Sequence, residues 1–205
     1  MTKFYLELPS IERKEQAIEY INEFYENNSQ IHGTGGLDRQ LGKGISYEEW
    51  INNSLKMSDK NYANSKGLVP ANTFFLIREE DDKLIGMIDL RYELNDYLRN
   101  IGGHIGYSIR PTERRKGYNK INLFLCLLEA KKYGLERVLI TCADYNDGSR
   151  NTIKAFDGEF EKETYDESDK EVMELYWVDV DKAISKYKSV YGEYVLNSNE
   201  LKINK

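Results

Sequence analysis

The 205-residue chain is poor in cysteine, histidine and long apolar runs, and each shortage removes a class of protein. Its two cysteines, Cys126 and Cys142, lie inside a helix pattern and a strand pattern. Nothing around them resembles metal-ligand spacing, so no metal site is expected and both read as buried free thiols. No apolar run approaches the ~20 residues of a membrane span, so no membrane partner is expected. The start, Met1-Thr2-Lys3-Phe4-Tyr5-Leu6, lacks the apolar core of a secretory signal, and a cytoplasmic location is expected. Basic residues are outnumbered by acidic ones. With 29 Lys and Arg against 35 Asp and Glu, the net charge of −6 argues against nucleic acid, which requires a basic footprint.

What is present is periodic. Apolar residues cluster at regular spacing despite a mean hydropathy of −0.68, as in a globular chain and not a disordered one. The length fits one domain, or a domain with an appendage. Phe4 to Leu8 alternates and predicts an edge strand. Ala17, Ile18, Ile21, Phe24 and Tyr25 predict a first amphipathic helix. A glycine-rich loop, His32-Gly33-Thr34-Gly35-Gly36, follows. Ser46-Tyr47-Glu48-Glu49 then carries a capping pattern ahead of Trp50, Ile51 and Leu55, a second helix. Thr73–Arg78 and Lys83–Arg91 flank the polar turn 79–82 as a hairpin. Beyond a strand, a helix, the strand Arg137–Ala143 and a further helix, 159–163 and 172–178 predict a second hairpin. No internal repeat is evident. Ala183, Ile184, Tyr187 and Val190 predict a short terminal helix, followed by a polar tail ending at Leu201–Lys205.

The most informative stretch runs from Ile105 to Asn119. An alternating apolar run stops at Arg110-Pro111; Arg114-Arg115-Lys116-Gly117 follows, and a long apolar helix pattern begins. The positive end of the helix dipole favours acidic residues at that point. Three cations beside a glycine make sense where an anion sits, because free N–H groups and positive side chains converge on phosphate.

Arg114-Arg115-Lys116-Gly117-Tyr118-Asn119 resembles the Arg/Gln-x-x-Gly-x-Gly/Ala signature of the GCN5-related N-acetyltransferases, whose turn holds the pyrophosphate of acyl-coenzyme A. Asn119 departs from that signature. The resemblance spans about residues 73–178 and includes Asn146-Asp147-Gly148-Ser149, similar to the family's Asn-initiated fourth helix. It implies a mixed α/β fold with a centrally splayed sheet of about seven strands flanked by about four helices. It places the acetyltransferase domain at 1–180 and an extension at 181–205. It also implies that the backbone of Tyr107, Ser108 and Ile109 and the side chain of Asn146 contact the cofactor arm. At Asn146 the plain alternative is a helix cap. Seven residues on, where many members carry a tyrosine that protonates the departing thiolate, this chain has Ile153. Tyr145 and Tyr107 are the nearby substitutes.

For proton removal there are two candidates. His104 begins the central strand and has the side chain suited to a base at neutral pH; its alternative is a structural histidine bonded to backbone. Glu93, after the preceding strand, would hold the amine's charge or relay its proton, or else is a solvated loop carboxylate. His32, with Gly35 and Gly36, reads as a mobile lid over the acceptor or as a simple connector. Gly33-Thr34-Gly35-Gly36 lacks the Lys-Ser/Thr ending of a P-loop.

The expected activity is acetyl transfer from acetyl-coenzyme A, without a metal, to a primary amine on a small molecule or peptide, by a monomer or homodimer. The alternatives are a noncatalytic acyl-coenzyme-A-binding module and a structural interaction protein.

Overall fold

Strands β2 (Ala71–Arg78) and β3 (Lys83–Arg91) are buried along nearly their whole length, which is why both read as continuous apolar runs. Their side chains still divide between two faces. Phe74 and Leu76 join Ile88 and Leu90 in the larger core, while Phe75 and Ile77 join Leu84 and Met87 in a second one. The turn between the strands places Asp82 at φ 51°, and Arg13 clasps its carboxylate at 2.7 Å.

The computed structural model describes residues 2–196. Seven strands form one sheet in the order β1-β2-β3-β4-β5-β7-β6. The others are β1 (Phe4–Glu7), β4 (Ile105–Ile109), β5 (Arg137–Ala143), β6 (Glu159–Asp166) and β7 (Glu171–Asp179). All neighbours are antiparallel except β4 and β5. β1 is the edge strand that its alternation predicts.

Helix α1 (Lys14–Glu26) and helix α3 (Tyr47–Ser54) cover the second core. In α1 the buried positions are Ala17, Tyr20, Ile21 and Phe24, a 3-4 spacing that turns Tyr20 inward and leaves Tyr25 exposed. Ser46 caps α3 as its sequence predicts, its hydroxyl accepting the Glu49 N–H at 3.2 Å. Trp50 stacks on Phe75 at 6.3 Å. The larger core lies under α5 (Tyr118–Lys132), which is buried nearly all round between the sheet, α6 (Asp147–Lys154) and α7 (Val180–Tyr191). Two short helices, α2 (Leu37–Gly42) and α4 (Lys60–Ser65), lie where the sequence pattern predicts no element. Each is only six residues long, too short to leave a periodic signature.

Helix α7 is docked. Asp179 caps it through the Lys182 N–H at 3.0 Å, and Tyr187 and Tyr191 pack on Phe156 at 5.1 and 5.2 Å. The chain then returns to β1, where Val195 pairs with Phe4 and the Leu196 N–H donates to the Phe4 carbonyl. The predicted tail at Leu201–Lys205 lies outside the described residues. No described helix is long and apolar enough to cross a membrane.

Candidate functional site

The site starts from a mismatch in strand pairing. The Arg110 N–H donates to Ile85 and the Arg91 N–H to His104, so even-numbered residues of β4 turn their backbone groups toward β3. By the same alternation Tyr107 and Ile109 turn theirs toward β5. Yet β5 meets β4 at a single register position, Ile105 against Ile140, and then diverges. Beyond that point β4 lacks a strand partner on its β5 side among the described residues. The result is a splay with backbone donors and acceptors along one wall.

His104 pins the closed end. Its N–H donates to the Leu139 carbonyl at 2.7 Å and its Nδ1 accepts the Leu139 N–H at 2.8 Å. Burial, aided by Arg91, pushes the imidazole down to about 4. Of the two readings of His104, the geometry matches the backbone-bonded one: Nδ1 is occupied and a nearly dry site disfavours the cation. Glu93 follows the end of β3 that faces the start of β4, and there it pairs with Lys60 at 2.5 Å. Neither candidate base stands at the open end.

That open end leads into the cationic turn. The turn is fixed to α1 by Arg110, whose buried guanidinium lies 3.1 Å from Glu23, and by Thr112, whose N–H donates to Glu23 at 2.7 Å. Arg115 then takes φ 65° and Gly117 φ 82°, and α5 begins at once. Left-handed residues interleaved this way gather successive N–H groups on one side, an anion nest. The N–H groups of Lys116, Gly117, Tyr118 and Asn119 have no backbone acceptor among the described residues. A Cβ on Gly117 would meet nothing within 4 Å, so the concavity is open. The arrangement fits a pyrophosphate.

The three cations do different jobs. Arg114 turns inward, donating to the Ile109 carbonyl at 3.1 Å and to Ser29 Oγ at 2.8 Å, with its guanidinium over Phe24. Lys116 pairs with the buried Glu113 at 2.8 Å while half of its own side chain stays exposed. Arg115 has no ion pair or hydrogen bond among the described residues. Arg115 and Lys116 are therefore the cations available to an anion, and Arg114 belongs to the fold. Asn119, the departure from the family signature, leaves the nest clear: its Nδ2 donates to Thr152 on α6 at 3.3 Å.

Inside the splay, the Tyr107 hydroxyl lies 2.8 Å from Ser149 Oγ, in the first turn of α6. Burial pushes the Tyr107 phenol up, so it stays protonated. Asn146 caps α6, accepting the Ser149 N–H at 3.0 Å, and so sets Ser149 in place. The sequence shows Ser149 only as part of the Asn-initiated helix motif. Its placement three residues past Asn146, on the face toward β4, was the available signal. Ile153 is fully buried core against Gly158 and does not look into the splay.

Ser108, on the opposite sheet face, donates to the His32 carbonyl at 2.5 Å and accepts from Tyr20 at 2.9 Å. This ties the α1–α2 segment to β4. The glycines of that segment are not those of a free lid. A Cβ on Gly33 would lie 2.4 Å from the Gly106 carbonyl oxygen, and one on Gly35 would lie 2.0 Å from Thr73 Oγ1. They are glycines because the chain is pressed onto the sheet. Gly36, at φ 81°, starts α2. The His32 side chain is open to solvent but walled by protein, whose desolvation lowers its pKa against the opposing fields of Glu171, Asp169 and Asp38. Tyr145 is exposed and donates to Glu171 at 2.5 Å; that bond raises its pKa. The structure thus brings Tyr107, Asn146 and the turn together, places His32 and Tyr145 at one mouth of the splay, and leaves His104 and Glu93 at its closed end.

The family model described as "Acetyltransferase (GNAT) family" matches residues 43–157, just over half of the chain. Among curated proteins, none matches the sequence. Among solved structures, the chain is similar to the ribosomal-protein-S5-alanine acetyltransferase of Vibrio fischeri (TM-score 0.60, 18% identity, covering 87% of this chain and 93% of that one). It is also similar to Mycobacterium smegmatis RimJ in complex with CoA-disulfide (TM-score 0.64, 14% identity, 90% and 87% covered). A third is the microcin C7 self-immunity acetyltransferase MccE in complex with acetyl-CoA and AMP (TM-score 0.61, 16% identity, 86% and 92% covered).

Proposed function

The chain belongs to the acetyltransferase (GNAT) family, and from that premise we propose that it transfers the acetyl group of acetyl-coenzyme A directly to a primary amine. The observation that carries this reading is the continuity of the β4/β5 splay with the anion nest at residues 115–119. The nest, with Arg115 and Lys116, receives the pyrophosphate. The outward N–H groups of Tyr107 and Ile109 line the pantetheine arm, and a donor on this wall receives the thioester carbonyl oxygen. Fixed backbone donors of this kind stabilise the charge that develops there.

The amine arrives as its ammonium form and loses one proton to water at the mouth. Its nitrogen lone pair then forms a C–N bond to the carbonyl carbon, the C–S bond breaks, and sulfur departs with the electron pair as thiolate. The Tyr107–Ser149 pair, rather than residue 153, supplies the proton that yields the free thiol and regains one from solvent, and the second amine proton leaves to water as the amide forms. Burial keeps the phenol protonated at neutral pH, so a proton is in place when the thiolate departs.

Calorimetry with coenzyme A, followed by a thiol-release assay over a panel of primary amines, tests the reading. Micromolar coenzyme A binding with turnover on at least one amine supports it. Binding without turnover on any amine replaces it with a noncatalytic acyl-coenzyme-A-binding module.

A further inference from the structure

Resting on the acetyl-transfer reading, we propose that Glu171 is the seat of the acceptor's ammonium group, with Gln30 and Tyr145 holding its carboxylate at the mouth of the splay. The three side chains come from segments far apart in sequence. Gln30 lies in the α1–α2 segment that is tied to β4, through Ser29 to Arg114 and through His32 to Ser108. Tyr145 follows β5. Glu171 opens β7, and the adjoining Val172 carbonyl accepts the Asp144 N–H, so both sit on the β5 side.

They meet at one oxygen. The Tyr145 hydroxyl donates to Glu171 Oε1 at 2.5 Å, and Gln30 Nε2 donates to the same oxygen at 3.1 Å. The bridge therefore spans the splay from its β4 side to its β5 side. Gln30 and Tyr145 are both exposed, and hydrogen bonds between exposed side chains add little to folding. What the bridge does is orient a carboxylate. Glu171 Oε2 has no partner among the described residues, so one oxygen is held while the other is free to accept an N–H from a cation.

The surrounding charge agrees. Asp169 and Asp38 share the field at His32 with Glu171. The nearby cation Arg91 is already engaged, by Asp89 at 3.2 Å and by the carbonyls of Gly102 and Gly103. An aliphatic ammonium suits this mouth, and an anionic acceptor does not. The same group occurs on a free diamine and at a peptide amino terminus.

The test titrates the coenzyme-A-loaded protein with cadaverine in one arm and a short peptide with a free amino terminus in the other. Wild type is compared with Glu171→Gln, which keeps the shape and an acceptor for Tyr145. At least one amine should bind wild type, and at least tenfold more weakly the variant, with coenzyme A affinity unchanged; the arm that responds identifies the source. Tyr145→Phe should raise KM for that amine severalfold with kcat nearly kept. Binding of neither amine to wild type, or equal binding to both proteins, overturns the seat. Amine binding lost in Glu171→Gln without thiol release sinks the transfer reading and leaves the seat standing. Thiol release with KM unaltered by the substitution does the reverse.

Discussion

Acid titration of His104 gives the sharpest measurable consequence of the splay's construction. The imidazole is buried, accepts a backbone N–H at Nδ1, and has its pKa pushed from 6.5 down to about 4. In the unfolded chain it titrates near 6.5. Between those values the unfolded state binds more protons than the native state, so stability rises with pH across that window and is lost as pH falls through it. The contribution is complete above about pH 6.5. Working the linkage through, acidification to pH 5.5 costs about 1.4 kcal/mol and to pH 5 about 2 kcal/mol from this one residue.

Urea unfolding of wild type and His104→Gln at pH 7.5 and 5.5 reads this directly. The variant should be less stable at pH 7.5, since it leaves the Leu139 N–H without its acceptor. It should lose about 1.4 kcal/mol less than wild type on acidification. Equal losses would refute the depressed pKa and with it the account of His104 as a buried clasp. A kinetic readout separates the roles further. The acidic limb of kcat/KM should keep its midpoint in His104→Gln, whereas a limb that flattened would restore His104 as the base.

Three further outcomes follow from the turn and the hydroxyl pair. Arg115→Glu and Lys116→Glu should each weaken coenzyme A binding about tenfold or more by calorimetry, because each charge-assisted contact is worth roughly 1.5–3 kcal/mol; the thermal midpoint should hold in Arg115→Glu and fall in Lys116→Glu, which sets a like charge beside the buried Glu113. Arg114→Glu should instead lower the midpoint of the ligand-free protein, and the opposite pattern would reverse the assignment. Gly117→Val must adopt φ 82°, so it should destabilise the ligand-free protein by about 1–2 kcal/mol as well as obstruct the nest; an unchanged midpoint would show that the turn relaxes. Tyr107→Phe should lower kcat by about a hundredfold with coenzyme A affinity nearly kept, and Ser149→Ala should act in the same direction; wild-type kcat in both would remove the pair from proton transfer.

Much of this protein was legible without coordinates, and the legible parts share a cause. Strand β2, the Ser46 cap, the interior of α5 and the turn at Arg114–Gly117 rest on preferences among residues a few positions apart, which a sequence displays directly. Helix α7 was recognisable from its spacing for the same reason, though its docking against Phe156 was not. Tertiary structure decided what spacing does not encode, namely the partner of each polar side chain. Arg114, Arg115 and Lys116 are three adjacent cations, yet the first is drawn to Ile109 and Ser29 because β4 ends beneath it. Gly33 and Gly35 resemble a hinge until the sheet is seen pressed against them. His104 looks like a base until β5 places the Leu139 N–H on its Nδ1. Gln30 and Glu171 stand 141 residues apart, and only the register of β5 on β7 and the seating of the α1–α2 segment on β4 bring them within 3.1 Å. Local backbone preference is carried by neighbours in the chain; side-chain chemistry in this site is assigned by neighbours across the fold.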